Sequence, residues 1–517
     1  MTKYIPTIGM EIHVELKTES KMFCKCRNGM GLEKKPNKNI CEVCTAQPGT
    51  LPVPNKKAIK FVQLAGLALN CKIRKDSKFD RKNYFYPDIP KGYQISQYDQ
   101  PLCENGFLEI SRSQISDFSS TNTLQKKSTF QNDKKGDALN IKIGITRIHL
   151  EEDTGKLTHP KGTNYSLVDF NRAGVPLMEL VTEPDFSSGL EARIFCQKLQ
   201  QICRYIGISE ADMERGNMRC EANVSIHKKN KDKLSGIKVE VKNINSFKFV
   251  EKAINYEIIR QSEALNNGEE IIQETRGWDA NRNATISQRT KETAADYRYF
   301  PEPDIPPMKF SDEYIEKIKS ELPELPDKKL KRFIEQYGIS QEGGETLISQ
   351  KKLANYFENT VSEIKEKIKS GEIKAEEKKL IKLVVNYLNT ELRKHLVENQ
   401  EKIENIKITP ENYAELIGIV ADGKINSSAT QIVLEEMYNT GGDPSQIIEE
   451  KNLMQMDNDK EIENIIEKVL ANNQSSVNDF KNGKENALKF LMGQVMKETK
   501  GKANPQKAME IIKKKIK

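Results

Sequence analysis

The sequence predicts an α+β protein: an amino-terminal β-sheet-based domain, then an all-α domain, then a small all-α tail. Three observations predict it. Segments 8–16, 141–150, 220–227 and 236–242 alternate apolar and polar residues, the period of half-buried strands. The stretch "FPEPDIPPMKF" (300–310) carries four prolines and reads as a linker. Beyond it the composition turns to Glu, Lys, Ile and Leu in helical patterns. A further boundary falls near "KITPENYAEL" (407–416), where Thr409-Pro410 suits a helix start. The predicted domains are 1–300, 301–405 and 406–517. With 517 residues the chain exceeds what one core holds.

The first strand is "IGMEIHVEL" (8–16). Ile8, Met10, Ile12, Val14 and Leu16 point one way; Glu11, His13 and Glu15 point the other. The chain has only five histidines, and one stands here between two carboxylates. Next comes "FCKCRNGMGLEKKPNKNICEVC", with Cys24-x-Cys26 and Cys41-x-x-Cys44 flanking a turn-rich loop. Two thiol pairs so spaced can set four thiolates tetrahedrally around Zn2+. With all four positions filled by protein, that zinc is structural; the alternative is four free thiols. "FSSTNTLQKKSTFQNDKKGD" (118–137) lacks apolar periodicity and reads as a surface loop.

"RIHLEEDTGK" puts Arg147, His149, Glu151 and Asp153 on one face, and "VPLMELV" sets Glu179 inside an apolar run. "GLEARIFCQKLQQICRYIG" predicts an amphipathic helix ending at Gly207, with Cys196 and Cys203 as small core residues. "CEANVSI" and "GIKVEVKNI", joined by "HKKNKDKLS", predict a hairpin. Ile237, Val239 and Val241 would face the core. Lys238, Glu240 and Lys242 would face out, and Glu221 and Glu240 would share a face.

A carboxylate in an apolar run is costly unless paired or metal-bound. Several carboxylates with one imidazole suit Mg2+ or Mn2+, metals that commonly hold nucleotide phosphates. Neither G-x-x-x-x-G-K-[ST] nor G-x-G-x-x-G is present, so bound ATP would rely on metal and lysine. Spacing leaves open a second reading, in which these carboxylates face solvent and pair with lysines.

Charged residues make up 30% and hydrophobic ones 37%, and no stretch approaches the roughly 20 apolar residues of a membrane span. The start "MTKYIPTIGM" is neither a signal nor a transit peptide, so the expected location is the cytoplasm. Nine cysteines, an odd number, argue against a disulfide framework there. Net charge is +7, and residues 481–517 hold 11 Lys against three Glu. That is either a solvated tail or a nucleic-acid footprint.

The segments that hold these residues also resemble a known family. "GMEIHVELKTESKMFCKC", "FDRKNYFYPDIPKGYQISQ", "RIHLEEDTGK", "VDFNRAGVPLMELVTEPD", "VEVKNINSFKFV" and "DYRYFPEPD" are similar to the B subunits of tRNA-dependent amidotransferases, the GatB subunits of GatCAB enzymes. "DFKNGKENALKFLMGQVMKETKGKANP" is similar to their tail domain. The resemblance runs nearly end to end, in order.

It implies a β-sheet cradle with kinase and transamidase activity, a helical domain and a tRNA-binding tail. The implied enzyme is a carbon–nitrogen ligase. With ATP and Mg2+ it phosphorylates the side-chain carboxylate of Glu-tRNA(Gln) or Asp-tRNA(Asn); ammonia then displaces phosphate. The sequence lacks the Gly/Ser-rich nucleophile stretch of an amidase. The implied partners are therefore an amidase A subunit that frees ammonia from glutamine, a small C subunit completing a heterotrimer, and mischarged tRNA, with no membrane.

Residue by residue, the resemblance assigns His13, Glu151 and Glu179 to one Mg2+ (or Mn2+) site and Glu11, Glu221 and Glu240 to a second. Glu11, His13, Glu151 and Glu179 are the implied catalytic residues. Position 221 is usually Asp in the family, and the longer Glu is expected to shift the second metal or admit a water. Cys24, Cys26, Cys41 and Cys44 match the zinc site of some members. Lys82, Tyr84, Lys242 and Asn243 lie in motifs that would meet nucleotide or substrate; the alternative for Lys82, Lys242 and Asn243 is that they pair with carboxylates or cap loops. Tyr86, Tyr297 and Tyr299 would stack on the tRNA end with Tyr84, or serve as core aromatics. Lys484, Lys497, Lys500 and Lys502 match the tail motif and would contact tRNA phosphates. Two rivals remain: a tRNA-recognition subunit without catalysis, and a metal-dependent RNA hydrolase using the same acidic face.

Overall fold

The computed structural model describes residues 4–29, 35–111, 140–290, 296–455, 459–499 and 502–516. The 118–137 segment and Lys500 lie outside the described residues. The chain forms two compact units, residues 1–325 and 326–517.

The first unit runs β1 (Tyr4–Glu15), α1 (Lys56–Ala68), β2 (Lys72–Ile73), β3 (Asp76–Ser77), β4 (Asp80–Asn83), β5 (Tyr93–Ser96) and β6 (Cys103–Ile110). It continues through β7 (Ile141–Glu152), β8 (Lys156–Thr158), β9 (Leu167–Asp169), β10 (Pro176–Thr182), α2 (Gly189–Ile206), β11 (Met218–Lys228) and β12 (Val239–Ile244). It ends with α3 (Phe247–Asn266), β13 (Glu274–Asp279), β14 (Ala284–Thr290), β15 (Phe300–Pro301), β16 (Met308–Lys309) and α4 (Asp312–Ser320).

β1 is the central strand of a nine-stranded sheet, ordered β14-β13-β12-β11-β1-β10-β7-β6-β2. Its alternation decides which side is covered. Ile8, Met10, Ile12, Val14 and Leu16 are buried in a core that also takes Val62 of α1, Phe195 and Leu199 of α2, and Val250 and Ile254 of α3. Each such side chain contributes roughly 1.5–3 kcal/mol through burial. That fixes the register, because a one-residue slip would turn the core residues outward. α2 and α3 approach closely at Gly189, where a Cβ would stand 2.5 Å from the Glu251 carbonyl oxygen. Gly207 ends α2 in the left-handed conformation (φ 74°), as expected from its position. Cys196 and Cys203 are buried core residues.

A three-stranded sheet, β15-β4-β5, stands beside β7. Ser96 donates to Glu151 (3.0 Å), and the Ile95 N–H donates to Glu152 (3.0 Å). The expected hairpin is present as antiparallel β11 and β12, with a register irregularity between Cys220 and Ala222. Ile237, expected in the core, is 47% exposed because β12 begins only at Val239.

The proline-rich 300–310 stretch is part of the first unit, and the break expected at 300/301 falls instead at 325/326. β15 pairs with β4 and β16 with β3, while Ile305, Phe310, Ile315, Leu322 and Leu325 pack on the first core. Proline's missing N–H is tolerated on such short strands.

The second unit is helical. Thr409 caps a helix over Pro410–Ala421 by accepting from the Asn412 N–H, with Pro410 in the first turn. Ile403, Ile408 and Tyr413 belong to one core running from Phe333 to Ile448, so the expected 405/406 division cuts through it. A separate core spans Ile462 to Ile516.

Candidate functional site

On the face of the large sheet opposite the apolar side of β1, register alone gathers the acidic residues. β1 runs antiparallel to both neighbours, with His13 opposite Glu179 of β10 and Glu11 opposite Glu221 of β11. On β7, His149 stands opposite Glu179 and Glu151 opposite Leu177. On β12, Glu240 stands opposite Asn223. Two triads result: His13–Glu151–Glu179 and Glu11–Glu221–Glu240. In each, one ligand atom per residue lies within 4.8 Å of the other two. Glu11 and His13 alternate into the same face because each serves a different triad.

In the first triad, His13 Nε2 is 3.3 Å from Glu179 Oε2 and 3.9 Å from Glu151 Oε1. Burial works against a charged imidazole, but Glu179 foremost, then Glu151 and Glu221, outweighs it and raises His13 to about 9. Burial likewise opposes the Glu179 carboxylate. The two imidazoles flanking it, His149 and His13, hold it well below the usual carboxylate range. Two carboxylates and an imidazole, hard oxygens with one nitrogen, fit Mg2+ or Mn2+.

In the second triad, Asn223 Nδ2 donates to Glu11 (2.8 Å) and Thr275 donates to Glu240 (2.8 Å). Lys242 Nζ bridges Glu221 (2.6 Å) and Glu240 (3.2 Å). Desolvation opposes its charge, yet the two carboxylates raise its pKa. Glu221 converges with Glu11 and Glu240. The donor set, three carboxylates, again suits a hard divalent cation.

The four cysteines also converge. One Sγ from each of Cys24, Cys26, Cys41 and Cys44 lies within 4.8 Å of the others, a donor set that fits Zn2+. Cys44 accepts from the Cys41 N–H at 3.2 Å. A hydrogen bond from Cys24 leads the effects that pull the Cys44 thiol down to about 5. Sharing that hydrogen bond, together with burial, pushes Cys24 up, and burial raises Cys26 to about 12.

Lys82, on β4, has its Nζ 5.1 Å from the Tyr297 ring centre and 6.0 Å from that of Tyr84. Burial opposes its charge, but Glu151 and then Glu179, among others, raise its pKa. Tyr84 packs edge-on against Tyr297, and Tyr299 stacks on Tyr98 at 4.5 Å. Tyr86 is exposed. Asn243 adopts a left-handed backbone (φ 61°) and donates to the Trp278 carbonyl at 3.2 Å. In the second unit, Lys484 and Lys497 are exposed and Lys502 is half-buried. Lys484 pairs with Asp479 at 2.9 Å.

Sequence reasoning left several participants without a role. His149 is buried with Nε2 3.2 Å from Glu179 Oε2, and its Nδ1 has no hydrogen-bond partner among the described residues. Arg219, opposite His13 on β11, reaches Asp153 at 3.0 Å. His149 shared the polar face of "RIHLEEDTGK" with Glu151, and that parity was its only signal. Among the described residues no helix is long and apolar enough to cross a membrane.

Comparison with known proteins bears on this arrangement. Residues 6–316 match the family described as the GatB/GatE catalytic domain, and residues 371–516 match the GatB domain. The chain is 47% identical to the B subunit of the aspartyl/glutamyl-tRNA(Asn/Gln) amidotransferase of Thermotoga petrophila, over 99% of each chain. It is 44% identical to the protein of the same name from Carboxydothermus hydrogenoformans, over 100% of this chain and 99% of that one. For that of Thermodesulfovibrio yellowstonii the identity is 47%, over 99% and 98%.

Proposed function

The chain belongs to the GatB/GatE family, and from that premise we propose that its sheet face is the kinase and transamidase centre of a tRNA-dependent amidotransferase. The observation that supports this most directly is the convergence of His13–Glu151–Glu179 and Glu11–Glu221–Glu240 on one face. The substrate is a glutamate or aspartate esterified to glutamine or asparagine tRNA. A carboxylate does not yield to ammonia, because oxide is a poor leaving group. Its oxygen therefore attacks the γ-phosphorus of ATP and ADP departs. Ammonia then attacks the acyl carbon, phosphate leaves with the bonding pair, and the nitrogen loses a proton to give the amide.

Mg2+ held by the two triads would supply the charge neutralisation that phosphoryl transfer needs. The protein supplies position. His149 buttresses Glu179, and Ser96 fixes Glu151. Lys82, held between tyrosine rings, presents its ammonium to the phosphoryl oxygens; Lys242 balances the second triad. Zn2+ at the four cysteines would be structural. Ammonia comes from an amidase A subunit, with a small C subunit completing a cytoplasmic heterotrimer.

The test is a transamidation assay on the assembled subunits, with ammonium chloride in place of glutamine. Amide should form on Glu-tRNA(Gln) or Asp-tRNA(Asn) only with ATP, and not in Glu151→Ala. Amide formation that survives Glu151→Ala would overturn the assignment.

The Ile462–Ile516 core sets where the tail is best removed. Ending the chain at residue 455, which leaves the Phe333–Ile448 core whole, should weaken tRNA binding roughly tenfold and flatten its salt dependence. Unchanged affinity in a salt titration would refute a phosphate-contacting tail.

A further inference from the structure

Lys21, in the segment after β1, is 0% exposed. Its Nζ donates to the Asn39 carbonyl (2.9 Å) and the Phe170 carbonyl (3.4 Å), and stands 3.7 Å from Cys44 Sγ. Among the described residues no carboxylate pairs with it. A buried ammonium without a counter-anion is strongly unfavourable. The nearest group able to carry negative charge is the Cys44 sulfur. Four thiolates around one Zn2+ carry a net charge of −2, so the centre needs cations as much as Lys21 needs anions.

The two carbonyls it binds belong to different segments. Asn39 lies inside the cysteine loop. Phe170 lies in the segment leading into β10, the strand of Glu179. The same two segments are joined elsewhere. The Asn37 N–H donates to Asp169 (3.0 Å), Asn37 Nδ2 to the Val168 carbonyl (2.9 Å) and the Asn39 N–H to Asn171 (2.8 Å). Met22 N–H donates to the Gly174 carbonyl at 2.6 Å.

We propose that Lys21 is the built-in countercharge of the zinc–tetrathiolate centre, and one of the links through which that centre holds residues 168–174 at the entry to β10. This rests on the cysteines binding zinc. Lys21 is here a positioning residue: it orients and neutralises ligands without binding the metal.

The test uses the full chain and measures zinc release to a chromogenic chelator at neutral pH. Wild-type protein should carry about one equivalent, and Lys21→Met should release it at least about tenfold faster. Equal release rates from equally loaded proteins would overturn the proposal. Wild-type protein holding no zinc, with four titratable thiols, would instead overturn the zinc assignment beneath it. A second comparison covers a Lys21→Met variant that folds poorly. In a background with Cys24, Cys26, Cys41 and Cys44 all changed to Ala, the ammonium has lost its anion, so Lys21→Met should raise Tm. A residue that merely fills space would lower Tm in both backgrounds, and that outcome would overturn the proposal.

Discussion

Glu179→Ala should lower ATP-dependent amide formation by about a thousandfold or more while mischarged tRNA still binds. Glu179 is the residue on which the first triad turns, with His13 at 3.3 Å and His149 at 3.2 Å on the same carboxylate oxygen. Its removal would take a ligand from the proposed Mg2+ site and the anion from two imidazoles at once. Losing roughly 4 kcal/mol of transition-state stabilisation corresponds to about three powers of ten in rate. Single-turnover amide formation from ammonium measures the chemistry, and filter binding measures tRNA retention. A loss under tenfold would mean that Glu179 has only a packing role.

The second large effect concerns stability. Glu302 follows β15, and its side chain is 0% exposed; Arg81 of β4 meets it through Nε and Nη2, both at 2.7 Å. The same guanidinium lies 4.3 Å from the Tyr93 ring centre. Arg81→Met leaves a buried carboxylate unpaired and should destabilise the protein by about 3–5 kcal/mol. Activity should fall as well, since Lys82 is the next residue of β4 and its partner Tyr297 is held through β4 pairing. The Asn83 N–H donates to the Tyr297 carbonyl at 2.9 Å. Denaturant unfolding reads the first effect. A shift below about 1 kcal/mol would show that the pair is replaceable by water.

Strand parity carried much of this site into view from sequence. Once β1 alternates, Glu11 and His13 must share a face, and the same count places Glu221, Glu240 and Glu151. Resemblance then supplied the division into two triads, which spacing had left open. Other features depend on three-dimensional partners that no local pattern encodes. Lys21 looks like any surface lysine in "ESKMF"; only the fold shows it sealed against Cys44. The prolines of 300–310 imitate a linker because a local reading cannot see β3 and β4 waiting to pair with that stretch. The division at 405/406 failed for a related reason. A capped start at Thr409 marks only where a helix begins, and this one begins inside a continuous core.

The alternation of Glu11 and His13 along β1 has an evolutionary consequence. Two residues of strand span about 6.6 Å. The gap between the triads is thus a multiple of the backbone repeat, set by peptide geometry and independent of side-chain choice. A single inserted or deleted residue between Glu11 and His13 would send one of the two side chains into the hydrocarbon core and bring an apolar residue out in its place. Substitutions at these positions can keep the face acidic, but length changes within this strand cannot. The chain's tolerance for indels should drop to zero at its most ordinary-looking element.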